Sequence, residues 1–253
     1  MSTDTTEVTS SSTGAPSAQR GHRLAGAATL VSAPVAIASM AVILSGANWD
    51  SSIFEDSTRL LGYGASAAAA AQLGMVLDVI GYYALLVPAL LVLNSAMARR
   101  RPDLAGIATF AGATYIVTGA AGAAMLSAVW PTALNSVGEV GADTSTIAVS
   151  FDMINNAVVD GLWNLLGSAA IAVWLLIVGP LSWRSGRAFA VLTVIVGGAA
   201  AIETVATQMG LHEMASVFLQ LYLYGLPVWA AWLGIRLLRG KTIIVADDRL
   251  AEG

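Results

Sequence analysis

Six stretches of mostly apolar residues, each near 20 residues or longer, divide this chain, and short polar connections separate them. A helix needs roughly 20 such residues to cross a hydrocarbon core about 30 Å thick. No water reaches the backbone amides there, so each stretch must satisfy its own hydrogen bonds as a helix. The expected fold is all-α: a polytopic membrane protein built as a six-transmembrane-helix bundle. Composition agrees, since 57% of residues are hydrophobic and 11% are charged, against about a quarter charged in soluble domains.

The first span is expected over 24–47. Its apolar run exceeds the roughly 7–15 residues of a signal peptide, although Ser45-Gly46-Ala47 would suit a cleavage site. The second runs from about 72, or from the alanine run at 67–71, to the cluster Arg99-Arg100-Arg101. The third covers 104–129, and a polar connection containing Trp130-Pro131, Glu139 and Asp143 follows it. The fourth ends at 183, the fifth covers 188–209 and the sixth 215–235. Residues 1–21 are Ser/Thr-rich and nearly free of large apolar side chains, the composition of a disordered tail. The membrane domain is thus 22–240, with a second tail at 241–253.

Orientation follows from the cations. Arg20, Arg23, Arg99, Arg100, Arg101, Arg184, Arg187, Arg236, Arg239, Lys241 and Arg249 fall on one side, and Arg59 alone on the other. The positive-inside rule then places both termini in the cytoplasm of a multi-pass plasma-membrane protein. The outer side carries Asp50, Glu55, Asp56, Glu139, Asp143 and Glu213, a field that favours cations. No basic stripe suits nucleic acid. The chain has no cysteine, which removes thiolate chemistry and zinc–sulfur sites.

Depth can be counted from the cytoplasmic markers. Glu203 stands 16 residues from Arg187, about 24 Å along a helix. Gln220, Ser168, Tyr82 and Thr118 come out at nearly the same level, counted from Arg236, Arg184, Arg99 and Asp103. Asp78 and Asp160 fall near the outer edge, at roughly 31 and 36 Å. In the fourth span Asp152, Asn156, Asp160 and Asn164 recur every four residues, one helix face. Against lipid that stripe would leave polar groups unsatisfied, so an inward polar cleft is expected. Pro34, Pro88 and Pro227 interrupt three spans. Each frees a carbonyl and favours a kink, compatible with an outward-opening cavity or with the general frequency of proline in membrane helices.

Glu203 is the sharpest candidate for ligand or proton binding. A carboxylate inside hydrocarbon costs about 2.5–3.5 kcal/mol and usually marks a pathway, relay or counter-ion. The competing reading is a glutamic acid bonded to Gln220 or Thr207 as a helix–helix tie. Asp78 could be kept ionised by Tyr82 or Arg59, or could simply end the apolar slab, and Asp160 has the same ambiguity. His212 with Glu213 could join the acids in an oxygen-rich metal site, but no HExxH or paired-histidine spacing exists. No G-x-S-x-G elbow supports a serine hydrolase, so no metal, cofactor or catalytic residue is assigned. In the third span Ala108 and Gly112, then Gly119 and Ala123, allow close helix approach and suggest a central position.

The stretch WLLIVGPLSWRSGRAFAVLTVIVGG (174–198) resembles a motif of an uncharacterised bacterial six-span membrane family, domain of unknown function 4386. Trp174, Leu175, Gly179, Arg184, Ser185, Gly186 and Gly197 carry the likeness, supported by RLLGYGASAAAAAQLGMVLD (59–78) and WAAWLGIRLLRG (229–240). Arg187 and Ala188 depart from the proline expected after the Ser-Gly turn. The resemblance implies a six-span bundle and no known activity.

Three functions remain. The first is binding or transport of a small polar or cationic molecule through an outward-facing pocket, proton-linked through Glu203 and served by a homodimer. The second is a membrane enzyme on a lipid or isoprenoid, with Asp78, Asp160 or Glu203 as acid or base. The third is an accessory subunit whose polar layer only fixes helix packing.

Overall fold

The computed structural model describes residues 15–54 and 56–244. Among them no strand occurs, and six helices are long and apolar enough to cross a membrane. They are α1 (Ala15–Gly46), α2 (Ala65–Ala98), α3 (Pro102–Val137), α4 (Thr144–Leu181), α5 (Arg187–Gln208) and α6 (His212–Leu238). Residues 1–14 of the expected tail lie outside the description, and from Ala15 onward that stretch is helix. The third span extends past its expected end because Trp130-Pro131 lies within α3. Trp130 is buried there, its Nε1 donating to Asn155 Oδ1 of α4 at 3.2 Å.

Each helix packs on its neighbours in sequence, and α1 closes onto α6, so the six form a ring. Leu91, Phe110, Val117, Val191, Val217 and Val228 face outward, as a lipid-facing surface requires. Small residues set the spacing. A Cβ on Gly26 would meet the Leu238 backbone N at 2.8 Å, and one on Gly234 would meet the Leu30 backbone N at 2.6 Å. Backbone touches backbone where α1 crosses α6, a contact only glycine permits. Ala108, Gly112, Gly119 and Ala123 are all buried as expected, although in a ring α3 is one wall among six rather than a centre.

The half of the ring nearest the arginine-rich ends has an aromatic core. Trp229 Nε1 donates to the Thr193 hydroxyl at 3.0 Å, and its ring meets Trp174 edge-on at 5.7 Å. Arg236 is buried beside them, donating to the Ser185 carbonyl at 2.8 Å and lying 5.1 Å over the Phe189 ring. At the other end the α1–α2 connection is tied locally. Ser52 and Tyr63 donate to Asp50, and Arg59 donates to the Ser52 hydroxyl at 2.9 Å. The Ser52 hydrogen bonds hold the Asp50 carboxyl below its ordinary range.

Candidate functional site

Asp78 stands where α2 stops being a regular α-helix. Pro88 has no N–H, so the Ala84 carbonyl loses its usual partner. Upstream the rod tightens to a 3₁₀ turn over Ala84–Leu86 and widens to a π turn over Val79–Tyr83. Asp78 is the last residue before that widening. Its Oδ1 accepts from the Ser39 hydroxyl of α1 at 3.5 Å, and its Oδ2 is buried without a hydrogen-bond partner.

Glu203 lies on α5 and is 1% exposed. Its Oε1 accepts from the Thr207 hydroxyl one turn away at 3.1 Å, and its Oε2 is buried with no partner. The buried Ser168 of α4 is adjacent, and Asp160 is within electrostatic reach. Buried polar atoms nearly always find a partner; among the described residues Asp78 Oδ2, Glu203 Oε2, Trp174 Nε1 and Arg236 Nε do not, and the first two are carboxylate oxygens on different helices.

Four tyrosines fill the ring beside Asp78. Tyr82 and Tyr83 come from α2, Tyr115 from α3 and Tyr222 from α6, and all four are buried. The Tyr83 and Tyr115 rings lie 5.2 Å apart, and Tyr222 is within electrostatic reach of both Asp78 and Glu203. The Tyr82 hydroxyl donates to the Leu223 carbonyl at 3.2 Å. Leu223 stands four residues before Pro227, so this is the carbonyl that Pro227 leaves without an amide. Tyr82 therefore repairs one helix from another and does not contact Asp78 through its hydroxyl, contrary to expectation. Arg59 likewise serves Ser52 and Asp56 rather than Asp78.

The polar layer divides by direction. Glu203, Ser168 and Tyr82 point into the ring. Gln220 is exposed and makes no tie to Glu203, whose hydroxyl neighbours are Thr207, at 3.1 Å, and Ser168. Thr118 is part-buried and spends its hydroxyl on the Thr114 carbonyl at 2.8 Å within its own helix. The fourth-span stripe also turns outward. Asn156 and Asp160 are exposed, Asp152 and Asn164 are partly exposed, and Asp160 accepts from Asn164 at 3.3 Å. The buried polar residue of this stretch is Asn155, which lies off the stripe. A π-helical segment, Ala157–Gly167, contains Asp160 and Asn164, so a regular α-helical wheel misplaces both. His212 is exposed at the start of α6. Among the described residues no three His, Asp or Glu gather closely enough to hold a metal ion.

A cleft between Gly81, Tyr82 and Pro227 has no room for a water molecule. A cavity of about 220 Å³ lies instead at the arginine-rich end and borders none of the acids. Residues not foreseen from the sequence are Ser39, Tyr83, Tyr115 and Tyr222, although the tyrosines could have been flagged as polar side chains within apolar spans.

These features define a class: a multi-pass helical membrane protein whose interior holds two partly unpartnered acids around a tyrosine cluster. No protein-family model, curated protein or solved structure matches the chain.

Proposed function

We propose that this protein binds or carries a small polar or cationic molecule across the plasma membrane, and that Glu203 links binding to a proton. The observation that carries this reading is the pair of buried, unpartnered oxygens, Glu203 Oε2 and Asp78 Oδ2, on spanning helices. Ionisable groups within spanning helices are rare, and pathways, proton relays and ligand counter-ions are where they recur. The acids are also ordered. Asp160 is exposed on α4, Glu203 is buried on α5 within electrostatic reach of it, and Tyr222 lies within reach of both Glu203 and Asp78. Asp78 and Asp160 both border or occupy π-helical segments, which recur at functional sites. Both termini are placed in the cytoplasm on the arginine distribution, a homodimer is the proposed unit, and the likeness at 174–198 supports membership of the bacterial six-span family.

A second reading has its own support. The tyrosine-filled interior and the Tyr82–Leu223 bond suit an accessory subunit whose polar groups specify packing. The two are separated by uptake of radiolabelled tetramethylammonium and choline into proteoliposomes across a range of pH. Carrier function predicts pH-dependent uptake that becomes pH-independent in Glu203→Gln. Absence of uptake of either cation, or an unchanged pH profile in that variant, would remove the proton-linked carrier reading.

A further inference from the structure

The 220 Å³ cavity at the arginine-rich end is built by a helix stop. Gly240 has φ +65°, the left-handed region that glycine enters without Cβ strain. The Gly240 and Lys241 amides bond back to the Leu237 and Arg236 carbonyls, each at 3.0 Å, the Schellman pattern that ends many helices. The chain then reverses under the bundle and buries Ile243 and Ile244, while Lys241 stays exposed. On the α2 side Arg101 is taken up by Asp103 through hydrogen bonds of 3.1 and 2.7 Å. Arg99 and Arg100 make no ion pair among the described residues.

The result is a hollow bordered by His22, Arg99, Arg100 and Lys241, floored by Leu93 and Ile243, with no carboxylate among the described residues that line it. We propose that it binds the phosphate group of an anionic phospholipid from the adjacent leaflet. Uncompensated cations at a membrane boundary attract anionic headgroups, and guanidinium groups match phosphate oxygens in two-pronged geometry. The volume is below the roughly 300–1,000 Å³ of drug-sized sites, which suits a headgroup. The apolar floor accepts the first carbons of the glycerol and acyl region, which inorganic phosphate lacks. This site is independent of the acids around Glu203.

The test uses delipidated full-length protein and native mass spectrometry with phosphatidylglycerol, phosphatidylcholine or inorganic phosphate as the added probe. Phosphatidylglycerol is expected to bind well above phosphatidylcholine. The triple variant Arg99→Gln, Arg100→Gln, Lys241→Gln is expected to lose on the order of a hundredfold in that binding, at roughly fivefold per cation. The control triple Arg20→Gln, Arg23→Gln, Arg239→Gln lies on the same end but outside the cavity and is expected to change it less than about threefold. Should the first triple fail to fold, Lys241→Gln alone should lose about fivefold. Equal losses in the two triples would show diffuse surface attraction and overturn the site. Inorganic phosphate displacing the lipid at equal concentration would show an anion site without lipid selection. Lipid binding only in a chain ended after Ile244 would mean that the acidic tail, not lipid, is the occupant, and would also overturn it.

Discussion

Replacing Tyr82 by Phe removes one hydroxyl and nothing else, and its cost can be worked from the neighbouring helix. That hydroxyl is 3.2 Å from the Leu223 carbonyl, which lacks its amide partner because residue 227 is proline. An unsatisfied buried acceptor costs about 1–3 kcal/mol, while interhelical bonds within membranes average nearer 0.6 and reach about 1.7. A loss of about 1 kcal/mol is therefore expected for Tyr82→Phe. Pro227→Ala restores an N–H aimed at Leu223, so in that background the same change should cost only a few tenths of a kcal/mol. Steric-trap unfolding of the four proteins in micelles gives the coupling directly. Equal losses from Tyr82→Phe in both backgrounds would refute the assignment of this hydroxyl to the proline-freed carbonyl.

Two further expectations concern packing and pH. Gly234→Val should destabilise by about 2–3 kcal/mol in the same assay, since overpacking against an immovable neighbour reaches that range. The neighbours are the Leu30 amide at 2.6 Å and the Gly26 carbonyl at 2.8 Å. Gly198→Ala, with nothing within 4 Å of the added carbon, should instead be neutral or stabilising by up to about 1 kcal/mol. Asp143 caps α4 through bonds from Ser145 and Thr146, which lower its carboxyl from 3.8 to about 2. A depressed folded-state value stabilises above the unfolded value and is lost as pH falls through the folded one. Thermal melts of the native chain should therefore drop between pH 3.8 and about 2 more than those of Asp143→Asn. Parallel melting curves over that window would contradict the cap's charge dependence.

The six spans were legible because hydrophobic length is a one-dimensional property, and the helix ends moved by only a few residues at most boundaries. The exceptions are instructive. Trp130-Pro131 reads as a connection but stays helical, because Trp130 finds Asn155 as a partner across the α3–α4 seam. Counting from the arginines gave height along each helix and not direction around it. Gln220 and Tyr222 stand two residues apart on α6, yet the first is exposed and the second faces the ring. The stripe through Asp160 failed for a related reason, since its wheel assumed 3.6 residues per turn and the segment is π-helical. Arg236, used as a marker of the membrane edge, also ties α6 to the Ser185 turn through its guanidinium, a role its position alone does not show. Glu203 was found from composition alone, because a lone acid in an apolar run is conspicuous.

The claim on which the functional reading stands is that Glu203 exchanges a proton inside the ring. Infrared titration of the full-length protein measures this without any ligand, through the carboxylic C=O band. A band that titrates in the native chain, persists in Asp152→Asn and disappears in Glu203→Gln is the predicted result. A Glu203 band that does not titrate anywhere in the pH range where the protein stays folded would contradict it.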